Sequence, residues 1–241
     1  MKRRWLTAGW LALACLAPGL AGGADQSAPE PGWVSLFDGQ SLGGWTSVPL
    51  PGQTTSWEVK DGVLEGSGGQ SMLYSPRGDY KNFKYRAELK INDKGNSGMY
   101  VRTPMGPTFM DGYEIQVNAT HRDPIKTGSL YTLVHLEKSV VPPDTWFIQE
   151  IEVSDVNYRG KVVTKFRILV NGELLFEYLD HNRLWKEGHF AFQQHDPGSR
   201  VSIRKVEVME LPATKEAGGS ASPPFKPQSS PTVNSTPKAS P

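Results

Sequence analysis

Apolar and polar side chains alternate with a period of two along most of the chain between Val34 and Leu211. The clearest case is FKYRAELKI at 83–91, which places aromatic and aliphatic side chains on one face and charged side chains on the other. Turn residues recur roughly every ten positions, as expected for short antiparallel strands. The pattern predicts an all-β fold in which two sheets pack as a sandwich.

Two tight turns are predicted where a dipeptide that tolerates positive φ separates two alternating runs. These turns are Asp61-Gly62 within 57–65 and Asn171-Gly172 within 166–176. Further strands are predicted at 72–75, 129–134, 146–154, 189–194 and 200–211, the last with a bulge at Arg204-Lys205. Only 181–187 resembles a helical turn. The long loops are expected to form the walls of a binding site, and they lie at 103–111, 118–128 and 137–145.

The two ends of the chain differ from this middle part. Residues 1–24 combine a basic start, an apolar run and small residues before Ala24, which predicts a secretory signal and a secreted or periplasmic protein of a bacterial cell envelope. The apolar run is too short to span a membrane, so no membrane insertion is expected after cleavage. Residues 212–241 are rich in Pro, Ser and Thr and predict a disordered tail. One folded domain, 33–211, is predicted between them.

Composition excludes several classes of chemistry and partner. The single cysteine, Cys15, lies inside the predicted signal, where a lipid anchor is its alternative role. The cleaved chain would then contain no cysteine, which excludes disulfides, thiolate catalysis and a cysteine-based zinc site. The 26 Lys and Arg residues nearly balance the 25 Asp and Glu residues, and no basic stripe occurs. Nucleic acid and anionic membranes are therefore poor candidates as partners.

Two short predicted strands, at 97–102 and 112–116, carry most of the candidate chemistry. Their alternation turns four side chains away from the core, namely Tyr100, Arg102, Glu114 and Gln116. The neighbouring glycines, Gly98 and Gly112, would let a ligand or another backbone approach closely. The pair of strands therefore resembles the floor of a binding site.

Glu114 is the leading candidate for a general base or a metal ligand. The alternative is a structural ion pair with Arg102, which would lower the pKa of Glu114 and keep its carboxyl group ionised. The next position on the same face is Gln116 and not a second acid. Hydrolysis by two paired carboxylates therefore lacks support from the sequence.

A second polar group follows two core phenylalanines in FAFQQHD at 190–196. Alternation leaves Gln193 and His195 on the face opposite the phenylalanines. His195 is a candidate proton shuttle or metal ligand, because imidazole titrates near neutrality and binds divalent ions. The alternative is a loop histidine bonded to a backbone carbonyl. Weaker candidates are His121 and His135.

Other signatures are missing or ambiguous. The sequence contains no His-Glu-x-x-His pair, no phosphate-binding loop and no dinucleotide fingerprint. Ser97 is predicted to face inward and to have a structural role. The chain has seven tryptophans. Core positions are the safer expectation for Trp45, Trp57 and Trp146, although a sugar-binding cleft also favours indole rings.

Seven segments, taken in order, resemble the secreted bacterial 3-keto-disaccharide hydrolase family, which has a concanavalin A-like jelly-roll fold. They are LFDGQSLGGW at 36–45, WEVKDGVL at 57–64, NSGMYVR at 96–102, GYEIQ at 112–116, TGSLY at 127–131, VNG at 170–172 and GHFAFQ at 188–193. The resemblance runs from about Trp33 to Leu211 and covers essentially the whole predicted domain.

The resemblance implies a carbohydrate substrate already oxidised to a ketone at C3 of a glucosyl ring. One base could then abstract the acidified C2 proton while the C1 substituent leaves, and water added to the resulting glycal would complete a net hydrolysis. Glu114 or His195 would take the proton. Arg102, or a divalent metal ion bound by Glu114 and His195, would hold the ketone oxygen. The residues implied to bind the sugar are Tyr100, Gln116, Tyr131 and Gln193.

Two other functions stay open at this point. The first is a non-catalytic carbohydrate-binding module on the same fold, and the second is a structural envelope protein. An enzyme requires Glu114 and His195, or an equivalent pair, within reach of one sugar carbon. A binding module would instead line its groove with exposed tryptophans.

Overall fold

The computed structural model describes residues 30–212, which contain thirteen β-strands and no helix. The strands are β1 Val34–Ser35, β2 Thr46–Pro49, β3 Thr55–Lys60, β4 Val63–Gly68, β5 Ser71–Tyr74, β6 Phe83–Ile91, β7 Ser97–Thr103, β8 Tyr113–Val117, β9 Phe147–Tyr158, β10 Lys161–Val170, β11 Glu173–Asp180, β12 His189–Gln194 and β13 Val201–Glu210. The predicted signal at 1–24 lies outside the described residues, as does the predicted tail beyond Pro212. Within residues 30–212 there is accordingly no helix of the length and apolarity needed to cross a membrane.

The strands form two antiparallel sheets. The larger sheet has the order β11-β10-β9-β6-β13-β4-β3 with β1 added on β13, and the smaller sheet has the order β2-β5-β12-β7-β8. Aromatic side chains from both sheets meet in the core, where Tyr85 of β6 stacks on Phe190 of β12 with ring centroids 4.0 Å apart. The predicted all-β jelly-roll sandwich is confirmed.

Both predicted tight turns are present. Asp61-Gly62 has φ values of 52° and 79°, and Asn171-Gly172 has φ values of 51° and 79°, as a type I′ turn requires. A third turn of this kind, Arg159-Gly160, joins β9 to β10 and was not predicted, because arginine rarely occupies a left-handed position. The bulge expected at Arg204-Lys205 is confirmed by a register shift between Ile203 and Lys205.

Two predicted elements are wrong. The segment 129–134 is not a strand but a tight turn with isolated bridges, in which Leu130 pairs with both Ile115 and Val134. The segment 181–187 forms bends and not a helical turn. There the side chain of Asp180 accepts hydrogen bonds from the backbone N–H groups of Asn182 and Leu184, which replaces helical backbone bonding.

The smaller sheet has a second buried surface on the face that points away from the core. This surface is formed by Met72, Tyr74, Tyr100 and Ala191, with Phe109 packed against it. Because Tyr100 and Ala191 come from neighbouring strands, β7 and β12, they give the polar residues of the same face a rigid support.

Candidate active site

A cleft of about 310 Å³ opens over this outer face of the smaller sheet. It is lined by strand residues, by the loop that follows β7 and by the segment after β8. The lining residues are Asn96, Phe109, Met110, Gly112, Glu114, Gln116, Asp123, Tyr131, Thr132, Gln193 and His195. The cleft therefore brings together five of the predicted site residues, namely Glu114, Gln116, Tyr131, Gln193 and His195.

Glu114 lies on β8, opposite Tyr100 of β7 in the strand pairing. Its carboxylate lies over Gly98, where a Cβ atom would come within 2.4 Å of Oε1 of Glu114. Glycine at this position therefore makes room for the carboxylate itself. The sequence predicted that a ligand or another backbone would approach Gly98, whereas in the structure the side chain of Glu114 occupies this space.

Burial raises the pKa of Glu114 to about 8, and the interaction with the Tyr100 hydroxyl opposes this rise only in part. The negative charge of Asp123 raises the pKa further. The expected ion pair with Arg102, which would have lowered this pKa, is therefore not what controls Glu114. A carboxyl group that titrates near pH 8 can exchange a proton with a bound molecule at physiological pH.

Arg102 does not line the cleft, which corrects its predicted role. Its side chain is fully buried, with Nη1 donating to Asp155 Oδ1 and Thr164 Oγ1 at 3.1 Å each and Nε donating to the Lys81 carbonyl at 2.9 Å. The cause is local: Arg102 has φ of 51°, and the pairing of β7 with β12 shifts register between His189 and Ala191. This shift turns Arg102 away from the face that simple alternation assigns to it.

The remaining strand residues form a floor of amides. Gln116 and Gln193 are buried, and Gln193 Nε2 donates to the Tyr100 hydroxyl at 3.0 Å. Tyr100 therefore supports the floor without lining the cleft. Oε1 of Gln193 and Oδ1 of Asn96 are buried and have no hydrogen-bond partner among residues 30–212. A buried acceptor without a hydrogen bond lowers the stability of the fold. These two oxygens are therefore suited to accept hydrogen bonds from hydroxyl groups of a ligand.

His195 lines the cleft and lies beside Asp196 and His121. Its Nδ1 is 2.9 Å from Asp196 Oδ2, and the His121 ring packs edge-on against it with centroids 5.7 Å apart. Phe109 covers the other side, with a centroid distance of 5.9 Å. The alternative reading of His195 as a histidine bonded to a backbone carbonyl is therefore replaced by a carboxylate-bound histidine.

The group of His121, His195 and Asp196 could hold a metal ion, since one ligand atom from each lies within 4.8 Å of the others. Two imidazoles and a carboxylate suit a divalent transition metal. Burial lowers the pKa of His121, against the opposing charge of Asp196, which favours the neutral ring that a metal needs. Nδ1 of His121, however, accepts a hydrogen bond from the Asp123 amide at 3.1 Å, which places the ring proton on Nε2. A cation bound at Nε2 would require the other tautomer and would therefore compete with that hydrogen bond. Glu114, the other predicted ligand, is not part of this group.

The sequence reasoning missed Asp123, which lines the same cleft. Its Oδ2 accepts a hydrogen bond from the Tyr131 hydroxyl at 3.0 Å. Burial and this bond raise the pKa of Tyr131 to about 12. The available signal was its position, since Asp123 lies in the predicted wall loop two residues after His121. A second carboxylate is therefore present beside Glu114, contributed by a loop and not by the strand face.

Several other candidates lie away from the cleft or are structural. Ser97 is buried and donates to the Gln193 carbonyl at 2.6 Å, so its predicted structural role is confirmed. Ser41 occupies the centre of a Gly-x-Ser-x-Gly spacing at 39–43. Its hydroxyl bonds Asp38 at 2.9 Å in a turn with no helix after it, so it forms no nucleophile elbow. His135 is exposed and does not line the cleft.

The tryptophans distinguish between the two carbohydrate functions. Trp45 and Trp57 are buried, and Trp146 is packed under Arg204 with the guanidinium 4.4 Å from its ring centroid. Among residues 30–212, no tryptophan lines the cleft. Exposed indole rings, expected of a binding module, are therefore not part of this cleft.

Solved structures with a similar fold include a proposed glycosyl hydrolase from Parabacteroides distasonis, with a TM-score of 0.58 at 18% identity over 74% of this chain and 99% of that one. A carbohydrate-binding module from Bacillus subtilis gives 0.52 at 18% identity over 69% and 96%. A β-glucanase from Bacillus licheniformis gives 0.51 at 12% identity over 74% and 97%. At these identities the likeness defines a class of fold, the jelly-roll sandwich, and no activity.

The family follows from the sequence. The model of the 3-keto-alpha-glucoside-1,2-lyase-like domain matches residues 32–209, and the chain belongs to this family. Among curated proteins, the chain is similar to a 3-keto-disaccharide hydrolase from Bacteroides thetaiotaomicron, with 25% identity over 186 residues. That match covers 65% of this chain and 61% of the relative, so the chain spans about three fifths of the relative's length.

Proposed function

We propose that this protein is a secreted or periplasmic enzyme that cleaves 3-keto-glycosides by abstracting the C2 proton and eliminating the C1 substituent, with hydration to a net hydrolysis. The observation that carries the proposal is Glu114, whose pKa of about 8 makes it a carboxyl base of unusual strength inside a cleft floored by amides. The family and the relative named a 3-keto-disaccharide hydrolase support the substrate class.

A 3-keto group changes what the site must supply. The ketone makes the C2 proton acidic, so Glu114 removes it without help from a second acid, and the electron pair moves onto the ketone oxygen. The C1–O bond then breaks as the C1–C2 double bond forms. The leaving oxygen takes the proton from Glu114, which restores the carboxylate.

The amides on the floor of the cleft position the sugar. Gln193 Oε1 and Asn96 Oδ1 can accept hydrogen bonds from sugar hydroxyl groups, and Gln116 and Tyr131 line the same cleft as Glu114. We assign Gln193, Asn96 and Gln116 to substrate binding, with Tyr100 supporting Gln193 from below.

The ketone oxygen needs a partner, because Arg102 is bound elsewhere and no arginine or lysine of residues 30–212 lines the cleft. The group of His121, His195 and Asp196 reaches the cleft through His195. A divalent cation held there would act as a Lewis acid on a carbonyl oxygen. The His195 ring is itself held in place by the contact of its Nδ1 with Asp196 Oδ2 at 2.9 Å. His195 could therefore serve as the partner of the ketone oxygen even when no cation is bound.

The experiment that tests this function follows 3-keto-trehalose in D₂O by NMR, scoring deuterium at C2 and release of glucose. Wild-type protein is expected to do both, and Glu114→Gln to lose at least about 100-fold of each rate, the size expected for a general base. Glu58→Gln, an exposed change on β3, is the matched control and should behave as the wild type.

A chelator arm shows whether a cation takes part. If activity is lost and zinc or manganese restores it, the His121→Ala and Asp196→Asn variants should no longer respond to added metal. If the wild-type protein binds unoxidised glycan but neither exchanges nor cleaves the keto sugar, the enzyme proposal is overturned in favour of a carbohydrate-binding module.

A further inference from the structure

The loop after β8 holds Asp123 with hydrogen bonds to nearly all of its polar groups. Its amide donates to His121 Nδ1 at 3.1 Å, and its carbonyl accepts from Asn118 Nδ2 at 3.0 Å and from Lys126 Nζ at 2.7 Å. Its Oδ1 accepts from the Ile125 amide at 2.9 Å. Asp123 is therefore fixed by its own loop, as a preorganised binding group should be.

The remaining oxygen of Asp123 points to the cleft. Oδ2 accepts from the Tyr131 hydroxyl at 3.0 Å, and both side chains line the cleft with Glu114. The backbone amide of Tyr131 donates to the Glu114 carbonyl at 2.9 Å, which ties the two groups to β8. The carboxylate oxygen and the phenol oxygen each keep a free lone pair after this bond, so either can accept a hydrogen bond from a water molecule, whose second proton stays available to Glu114.

We propose that Asp123 and Tyr131 form a binding site for the water molecule that adds to the glycal, so that this pair decides between elimination alone and net hydrolysis. The inference rests on the proposed function, because the glycal arises only if Glu114 carries out the elimination. It assigns to Asp123 a role in hydration of the glycal, the second half of the reaction. Elimination, the first half, does not require Asp123.

The atoms of this second half balance with Glu114 as the only proton carrier. Water held by Asp123 and Tyr131 gives one proton to the Glu114 carboxylate, and its oxygen bonds to C1. The C1–C2 electron pair moves toward the ketone as an enolate. Glu114 then returns the proton to C2, so the product is the hydrated 3-keto sugar and both carboxylates end as they began.

Asp123 and Tyr131 contribute position in this scheme and not a proton. Their removal should leave a cleft that still forms the glycal but releases it unhydrated. The signature is therefore a change in the ratio of products, which a general loss of structure would not cause because it would lower both products together.

The test compares Asp123→Ala and Tyr131→Phe with the wild-type protein on 3-keto-trehalose, with both products quantified. We expect the ratio of glycal to hydrated sugar to rise at least tenfold in each variant. Asp93→Ala is the matched control, because Asp93 Oδ1 also accepts a hydroxyl, from Thr120 at 2.6 Å, but does not line the cleft. Its ratio should equal that of the wild type.

A second measurement supplies the purified glycal and follows the loss of its enone absorbance, which isolates hydration from elimination. We expect at least a tenfold slower hydration in both variants. Unchanged hydration and an unchanged product ratio would overturn the role of Asp123 and Tyr131 while leaving elimination by Glu114 intact. A wild-type protein that eliminates but never hydrates would also overturn it, whereas absence of any C2 exchange in the wild type would refute the proposed function itself.

Discussion

Glu114 combines two properties at the scale of a single residue, a carboxyl group and a half-buried position in which that group is desolvated. Burial disfavours the charged form and so raises its pKa to about 8, well above the usual value near 4.5. The raised pKa makes the carboxylate a stronger base, but it also lowers the fraction that is ionised at neutral pH. The catalytic activity should therefore depend on pH through the ionisation of Glu114.

The pH dependence of kcat/KM should report this coupling. We expect the activity to rise tenfold per pH unit below the pKa of Glu114 and to level off above about pH 8, because only the ionised carboxylate takes the C2 proton. Initial rates measured between pH 5.5 and pH 9.5 at low substrate check this. An activity that falls through pH 8 would mean that Glu114 works as an acid, contrary to the proposed role.

The same residue should lower the stability of the fold at high pH. The folded protein binds a proton on Glu114 up to about pH 8, whereas the unfolded chain loses it near pH 4.5, so stability falls as the pH rises between these values. Glu114→Gln should therefore be a few kcal/mol more stable than the wild type at pH 9 and nearly equal at pH 4.5, since one pKa unit corresponds to about 1.4 kcal/mol. Urea unfolding at both pH values measures the difference.

Glu177→Gln provides the control for this effect. Hydrogen bonding to Lys165 lowers the pKa of Glu177, so removal of its charge should reduce stability at high pH. Opposite signs for the two Glu→Gln variants are expected. The same sign for both would show that loss of net charge, and not burial of Glu114, determines the result.

At the scale of elements, the pair β7 and β8 positions the carboxylate through a glycine. A Cβ atom at Gly98 would lie 2.4 Å from Oε1 of Glu114, so Gly98→Ala should displace the carboxylate and lower kcat/KM at least tenfold. Gly106→Ala is the matched control, since its Cβ would meet only Thr108 Cγ2 at 3.9 Å. Measurement of kcat/KM for both variants tests this prediction, with thermal melts to verify folding. Equal values of kcat/KM for the two variants would contradict it.

The register shift between β7 and β12 makes Arg102 a structural residue. Removing its guanidinium leaves the Asp155 carboxylate, only 15% exposed, with Arg183 as its remaining ion-pair partner. Arg102→Met should therefore destabilise the protein by about 3–5 kcal/mol, the usual cost of breaking a buried ion pair. Arg77→Met removes an ion pair that is half exposed and should cost about 1 kcal/mol or less. Denaturant unfolding of both compares them, and equal losses would contradict a structural role for Arg102.

Glu114 and Arg102 show what the sequence can and cannot predict. Period-two alternation predicted the sandwich, and the Asp61-Gly62 and Asn171-Gly172 dipeptides predicted two of its tight turns, because these depend on local preferences of the chain. It placed Glu114 and Gln116 correctly but failed for Arg102, since a positive φ beside a bulge reverses the face and arginine gives no sign of it. The raised pKa of Glu114 depends on burial, which a strand pattern does not measure.

Asp123 was missed for a different reason. It belongs to a loop whose conformation is fixed by contacts between residues 118 and 131, including those of Asn118, Lys126 and the Tyr131 hydroxyl. Loop residues follow no periodicity, so only the assembled structure brings this carboxylate beside Glu114. The sequence could predict the loop as a wall of the site, but not which of its residues faces the cleft.

At the scale of the whole molecule, the first and last described strands close the fold at the same place. β1 pairs with β13, with Val34 opposite Val208, and the ring of Trp33 packs under Arg86 at 4.1 Å from its centroid. Near the other end, Asn82 Nδ2 donates to the Pro212 carbonyl at 3.4 Å. Residues 30–212 therefore contain both partners of each closing contact.

This closure supports the proposed domain boundaries at 33 and 211. A chain cut to residues 30–212 should melt within about 2 °C of the protein with both ends and keep its activity, because it retains the β1–β13 pairing and the contacts of Trp33 and Pro212. A chain cut to 37–212 loses β1 and the buried Trp33, which should cost about 3 kcal/mol or more, or roughly 6 °C. Calorimetry and the C2 exchange assay on the three chains measure both effects. If the 30–212 chain melts as low as the 37–212 chain, residues outside 30–212 must contribute to the stability of the sandwich, and the domain extends beyond the proposed boundaries.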